Sequence, residues 1–139
     1  MKIKLDHINL TVHDIKESID WYEKIFGFKL AERGIGTRGQ SWAIVASNDS
    51  MIAMSEYKDK SKADQESEVD FHKIYHFGIR VSDLAAWEKI VKENDLRIYY
   101  GGVVSYPFSR SWYIHDPSGH EIEVSYSEQE FLQFPNRGA

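Results

Sequence analysis

Cysteine is absent from the 139 residues. Disulfides, thiolate nucleophiles and cysteine-type zinc sites are thereby excluded, and any metal must be held by His, Asp or Glu. Positive charge is short as well. The net charge of −5 argues against a nucleic-acid groove, which needs a concentrated basic surface. No run of five or more Lys and Arg marks a contact with an anionic membrane. The opening "MKIKLDHINL" lacks the long apolar stretch of a signal peptide, and no later segment approaches a membrane span. The expectation is a cytoplasmic protein that takes a small-molecule substrate and has no nucleic-acid or membrane partner.

Apolar residues are plentiful. They make up 42% of the chain, enough for a real core. Aromatics reach 14%, so either that core or a pocket is rich in rings. The length suits one compact domain or two small fused modules.

The stretch "LDHINLTV" alternates, with Ile8, Leu10 and Val12 on one face and His7, Asn9 and Thr11 on the other, the period of a strand with one apolar side. Asp14 and Glu17 then form a capping-box start, apolar residues recur at helical spacing through Ile15, Ile19, Tyr22 and Ile25, and Gly27 ends the helix. Three strand-like runs follow, "FKLAE", "SWAIVA" and "MIAMSEY". The polar stretch "KDKSKADQESEVD" reads as a solvated loop.

The pattern then starts again. "HFGIRVSDLAAWEKIVKENDLRI" shadows "HINLTVHDIKESIDWYEKIFGFKL", and His76 precedes Asp83 by seven residues, as His7 precedes Asp14. Phe77, Ile79 and Val81 form the apolar face, with His76, Gly78 and Arg80 pointing away. The second helix is about one turn shorter than the first. The runs "LRIYY", "SRSWYIH" and "HEIEVSY" complete the second half. The fold class predicted is α+β, with two repeated βαβββ modules forming a cupped mixed sheet and helices on its outer face. Module one spans 1–57, the polar loop 58–71, module two 72–126 and a C-terminal tail 127–139.

His7 and His76 occupy equivalent places in the repeats, on the face turned away from the helices. A third candidate follows the run "DPSG", which fits a type I turn with Asp116 first, Pro117 second and Gly119 fourth. In the next strand Ile122 and Val124 alternate with Glu121, Glu123 and Ser125, so Glu123 shares the face of the two imidazoles. Glu121 has the same parity but lies nearer the strand end, toward solvent. Two imidazoles and one carboxylate make a facial N,N,O set suited to a divalent transition metal.

These stretches, together with "WYIHDPSGHEIEVSY", resemble the vicinal oxygen chelate superfamily, which includes glyoxalase I, fosfomycin-resistance transferases, extradiol dioxygenases and bleomycin-resistance proteins. The resemblance covers nearly the whole chain. It implies a glyoxalase-like fold, a homodimer, and a divalent ion (Ni, Zn, Co, Mn or Fe(II)) on His7, His76 and Glu123.

Several reactions are compatible with that set. The glyoxalase I pattern adds a fourth ligand from the last strand of the first module, where Glu56 is the candidate ligand or general base. Pairing "EVSY" with "MSEY" sets Met54 opposite Glu123, with Glu56 two residues further along the same strand face. A glyoxalase-like lyase or isomerase leads on this reading. An extradiol Fe(II) dioxygenase is the alternative, yet "GGVVSYPFSRSW" lacks the acid–base histidine of that group, and neither His115 nor His120 falls in its place. For fosfomycin-type thiol transfer, Ser111 and Tyr113 match polar positions, whereas Val103 stands near the expected basic residue and Asn9 at a threonine. A non-catalytic, bleomycin-resistance-like binder would line its grooves with Trp42, Trp112, Tyr106 and Phe108. Arg33 and Arg38 read as solvated surface residues, and parity groups Arg110 with Trp112 and Ile114.

Overall fold

The computed structural model describes residues 1, 5–58, 74–106 and 109–128. Most of the polar loop, most of the tail, and Phe108 lie outside them. The chain divides into two compact units, Met1–Phe71 with Asp116–Gly119, and His72–His115 with His120–Ala139. Among the described residues no helix is long and apolar enough to cross a membrane.

The first unit runs β1 (Ile8–Val12), α1 (Ile15–Phe26), β2 (Lys29–Ile35), β3 (Ser41–Ser47) and β4 (Ser50–Glu56). Its sheet has the order β1-β4-β3-β2, with β1 and β4 parallel and the other pairs antiparallel. Helix α1 starts where Asp14 Oδ1 accepts the Glu17 N–H at 2.8 Å, and it stops where Gly27 takes φ 73. That left-handed conformation is cheap only without a Cβ. Ile19, Tyr22 and Ile25 of α1 are buried, as are Val12, Ala43, Val45 and Met54 of the sheet.

The second unit repeats the order as β5 (Phe77–Val81), α2 (Leu84–Glu93), β6 (Val104–Tyr106), β7 (Ser109–His115) and β8 (Glu121–Tyr126). Its sheet order is β5-β8-β7-β6, again with one parallel pair, β5 and β8. Asp83 caps α2 by accepting the Ala86 N–H at 3.0 Å. Trp87, on the buried face of α2, meets Trp112 of β7 edge to face, with ring centroids 6.4 Å apart. The chain is therefore an α+β protein built on a twice-used βαβββ plan.

One predicted strand is displaced. "LRIYY" forms no strand, and β6 begins only at Val104. Asp95 (φ 48) closes α2, with the Leu96 N–H reaching back to the Val91 carbonyl at 3.0 Å. Tyr100, Gly101 and Gly102 then take φ of 60, 79 and 116. Three consecutive residues on that side of φ space cannot continue a strand.

The "DPSG" turn has the expected closure, with Gly119 N–H to the Asp116 carbonyl at 3.0 Å. It also ties into the first unit. The Asp116 carboxylate, only 5% exposed, accepts the Tyr22 hydroxyl at 2.8 Å, and Ser118 Oγ accepts the His13 N–H at 3.0 Å. Burial first, and then the Asp116 charge, push the Tyr22 hydroxyl far above the ordinary phenol range. A raised folded-state pKa stabilises below the unfolded value of about 10 and is lost as pH rises through the folded one. Tyr22→Phe is expected to cost about 1–3 kcal/mol at neutral pH, because a buried acceptor loses a donor. Urea melts should show the gap between wild type and variant narrowing in strong alkali.

Candidate functional site

Glu123 lies on β8, opposite Gly78 of β5 and Tyr113 of β7. Its neighbours Ile122 and Val124 are fully buried on the other face. The strand period thus turns Glu123 away from the core, where its two oxygens have different surroundings. Oε1 accepts hydrogen bonds from Ser111 Oγ at 2.8 Å and Tyr113 Oη at 3.1 Å. Oε2 faces His76 Nε2 at 3.1 Å.

The hydroxyls form a chain. Tyr113 donates to Glu123, so the 2.6 Å contact between Tyr106 and Tyr113 has Tyr106 as donor. Burial, then the Tyr106 hydrogen bond and the Glu123 charge, raise the Tyr113 hydroxyl well above its usual value. It stays protonated at neutral pH and acts as a neutral donor.

His76 sits between two carboxylates. Its Nδ1 is 3.4 Å from Glu121 Oε2, and both atoms are buried without a hydrogen-bond partner. Glu121 is therefore not turned to solvent as its place at the strand end suggests. Tyr100, in the turn that replaced the predicted strand, donates to Glu121 Oε1 and covers it, and that bond raises the Tyr100 hydroxyl. His76 and Glu123 are thus brought together within the second unit, with Nε2 and Oε2 facing each other. Among the described residues no group of three His, Asp or Glu side chains gathers as a metal centre.

In the first unit, His7 Nδ1 is 2.7 Å from Asp6 Oδ2. A carboxylate on one ring nitrogen is the usual outer partner of a ligating histidine. Within the second unit, His76 Nε2 and Glu123 Oε2 are nitrogen and oxygen donors of the kind that suit a divalent ion.

Glu56 is placed differently from the expectation. In β4 it pairs with Val12, as Met54 pairs with Leu10, and that face is the buried one. The first-unit counterpart of Glu123 is Ala53, which pairs with Asn9 as Glu123 pairs with Gly78. The Glu56 carboxylate accepts the Ile15 N–H at 3.0 Å, at the start of α1, and lies 3.3 Å from Lys58 Nζ. A negative group there satisfies a free helix donor and complements the helix dipole. Glu56→Ala is expected to cost about 0.5–2 kcal/mol in a denaturation curve, with metal affinity unchanged in a titration.

The remaining candidates separate by face. Trp112 belongs to the core, Trp42 is half-buried on the first sheet, and Arg110 stacks over Tyr126 at 5.6 Å. His115 stacks on Tyr99 at 3.9 Å. Arg33 and Arg38 are exposed. Tyr106 lines an open cleft of about 370 Å³ in the second unit, together with Arg80, Ser109, Glu123 and Ser125. Strand parity assigns Arg80 a face but not a cavity, so spacing alone does not single it out.

The sequence model of the Glyoxalase/Bleomycin resistance protein/Dioxygenase superfamily matches residues 4–124. A metallothiol transferase FosB of Bacillus licheniformis is 27% identical over 120 residues, covering 86% of this chain and 73% of the relative. Among solved structures, a glyoxylase/bleomycin resistance protein/dioxygenase domain from Frankia sp. EAN1pec superposes with TM-score 0.73 at 19% identity, covering 94% of this chain and 96% of that one. The fosfomycin resistance protein FosX of Listeria monocytogenes, solved with Mn(II) and sulfate, superposes with TM-score 0.65 at 17% identity, covering 94% of this chain and 97% of that one. At those identities the two structures speak for the fold alone.

Proposed function

The chain belongs to the Glyoxalase/Bleomycin resistance protein/Dioxygenase superfamily, and from that premise we propose that it is a divalent-metal-dependent enzyme acting on a small substrate with two adjacent oxygens. The proposed ligands are His7, His76 and Glu123. The observation that supports this best is the divided environment of Glu123: Ser111 and Tyr113 hold Oε1, and Oε2 is left beside His76 Nε2. Hydrogen bonds of that kind orient a ligating carboxylate and tune its basicity.

A divalent ion, when bound, supplies a Lewis acid that stabilises negative charge developing on a substrate oxygen. The protein's own groups do the rest. Ser111 and Tyr113 fix the carboxylate, and Tyr106 orients the Tyr113 hydroxyl. Tyr113 is held in its neutral form and is not poised to remove a proton. Glyoxalase-type isomerisation needs a base that accepts a proton from carbon. Ala53 occupies the first-unit place for one, and Glu56 holds the start of α1. Addition of an external nucleophile such as a thiol needs no such base from the first unit. Thiol transfer therefore leads, in keeping with the curated relative's name, and isomerisation stands second. Assembly as a homodimer belongs to the same proposal and is tested by sedimentation.

Protein stripped with chelator and reloaded with Mn(II), Zn(II), Ni(II) or Fe(II) should be assayed for thiol consumption with fosfomycin and other small anionic electrophiles. Parallel assays follow isomerisation of a methylglyoxal hemithioacetal and dioxygen uptake with catechols. Metal-dependent thiol consumption is the expected result. Binding of small molecules that chelator leaves unchanged, with no turnover by any metal form, would contradict the proposal.

A further inference from the structure

Arg80 is the cationic side chain among those lining the second-unit cleft. It lies on the open face of β5, opposite Ser125, two residues along from the Gly78 and Glu123 pair. The other described arginines of this unit are engaged: Arg97 lies 4.5 Å over the Tyr99 ring and Arg110 lies 5.6 Å over Tyr126. Among the described residues the Arg80 guanidinium has no carboxylate, hydrogen-bond or ring partner. Glu123, the nearest acidic group in the cleft by register, has its Oε1 occupied by two hydroxyls and its Oε2 turned to His76.

A guanidinium left unpaired at the wall of such a cleft has one obvious use. It presents a planar fork of donors that matches a carboxylate or phosphoryl group. Ser109 and Ser125 line the same cleft and each offers a further hydroxyl donor. A two-residue offset along a strand is about 7 Å, so the guanidinium stem and Glu123 start a short molecule's length apart. We propose that Arg80, assisted by Ser109 and Ser125, binds an oxyanion head group on the substrate, and that the substrate is a compact acid bearing a carboxylate, phosphate or phosphonate at the end remote from its two adjacent oxygens. The assignment of those oxygens rests on the metal-dependent reading above, whereas the anion site stands on Arg80 and the cleft alone. Arg80 is thus a specificity-determining residue supplied by β5.

The test is calorimetric titration of the protein as purified with methylphosphonate, with propionate, and with the neutral analogue propionamide. Wild type should bind at least one anion and not the amide. Arg80→Gln should weaken that binding at least about tenfold, and Arg80→Lys should fall between them. Whichever anion binds more tightly to wild type decides between a phosphoryl and a carboxylate head group. Equal affinities in wild type and Arg80→Gln, or no anion binding by wild type, would overturn the proposal. A Mn(II) titration of the same samples separates the two claims. Affinity for Mn(II) equal in wild type and Arg80→Gln is expected, and failure of wild type to bind Mn(II) would count against the metal reading while leaving the anion result intact.

Discussion

Glu123→Ala should lower the affinity for a divalent ion by more than about 100-fold, and turnover should fall with it. Removing a group that only orients a ligand costs about 10–100-fold in metal affinity, so removing the ligand itself must cost more. The same scale sets the companion variants. Ser111→Ala and Tyr113→Phe each take one hydrogen bond from Oε1 while Oε2 remains beside His76. They should fall within the 10–100-fold band, and the double variant near its upper end. Isothermal titration with Zn(II) gives the order directly. Equal affinities for wild type and Glu123→Ala would remove Glu123 from the site.

Trp87→Ala carries the largest expected effect on stability. Trp87 is almost wholly buried, and its ring meets that of Trp112 at an interplanar angle of 80°. Deleting an aromatic ring from such a place leaves a cavity that backbone relaxation fills only in part, at about 3–5 kcal/mol. A domain whose total stability is about 5–15 kcal/mol loses much of its margin by that change. The midpoint of a urea curve should drop sharply with its slope retained, and Trp87→Phe should recover part of the loss. A shift no larger than that of an exposed substitution would mean that α2 contributes little to the core of its unit.

Much of this could be read from the residues. The repeat was visible because His7 and His76 each stand seven residues before a helix-capping aspartate, and both caps form. The face of Glu123 followed from the buried Ile122 and Val124 on either side. Other features depended on contacts that spacing does not encode. Aligning "MSEY" with "EVSY" placed Met54 opposite Glu123, but the ladders place Ala53 there. A one-residue slip in a strand exchanges its two faces, which is why Glu56 belongs with the buried side and the start of α1. Glu121 looked exposed at the end of its strand, but the left-handed turn at Tyr100 folds a phenol over it. Arg80 had the right parity from the start, yet only the cleft around it distinguishes it from a solvated arginine.

Crystals grown with Zn(II) and measured at its absorption edge would locate the ion without reference to activity. A single anomalous peak within about 2.0–2.2 Å of His76 Nε2 and Glu123 Oε2, with His7 Nε2 as a further ligand, is the predicted result. A fully loaded crystal with its ion elsewhere, and with Glu123 still bound only to Ser111 and Tyr113, would contradict it.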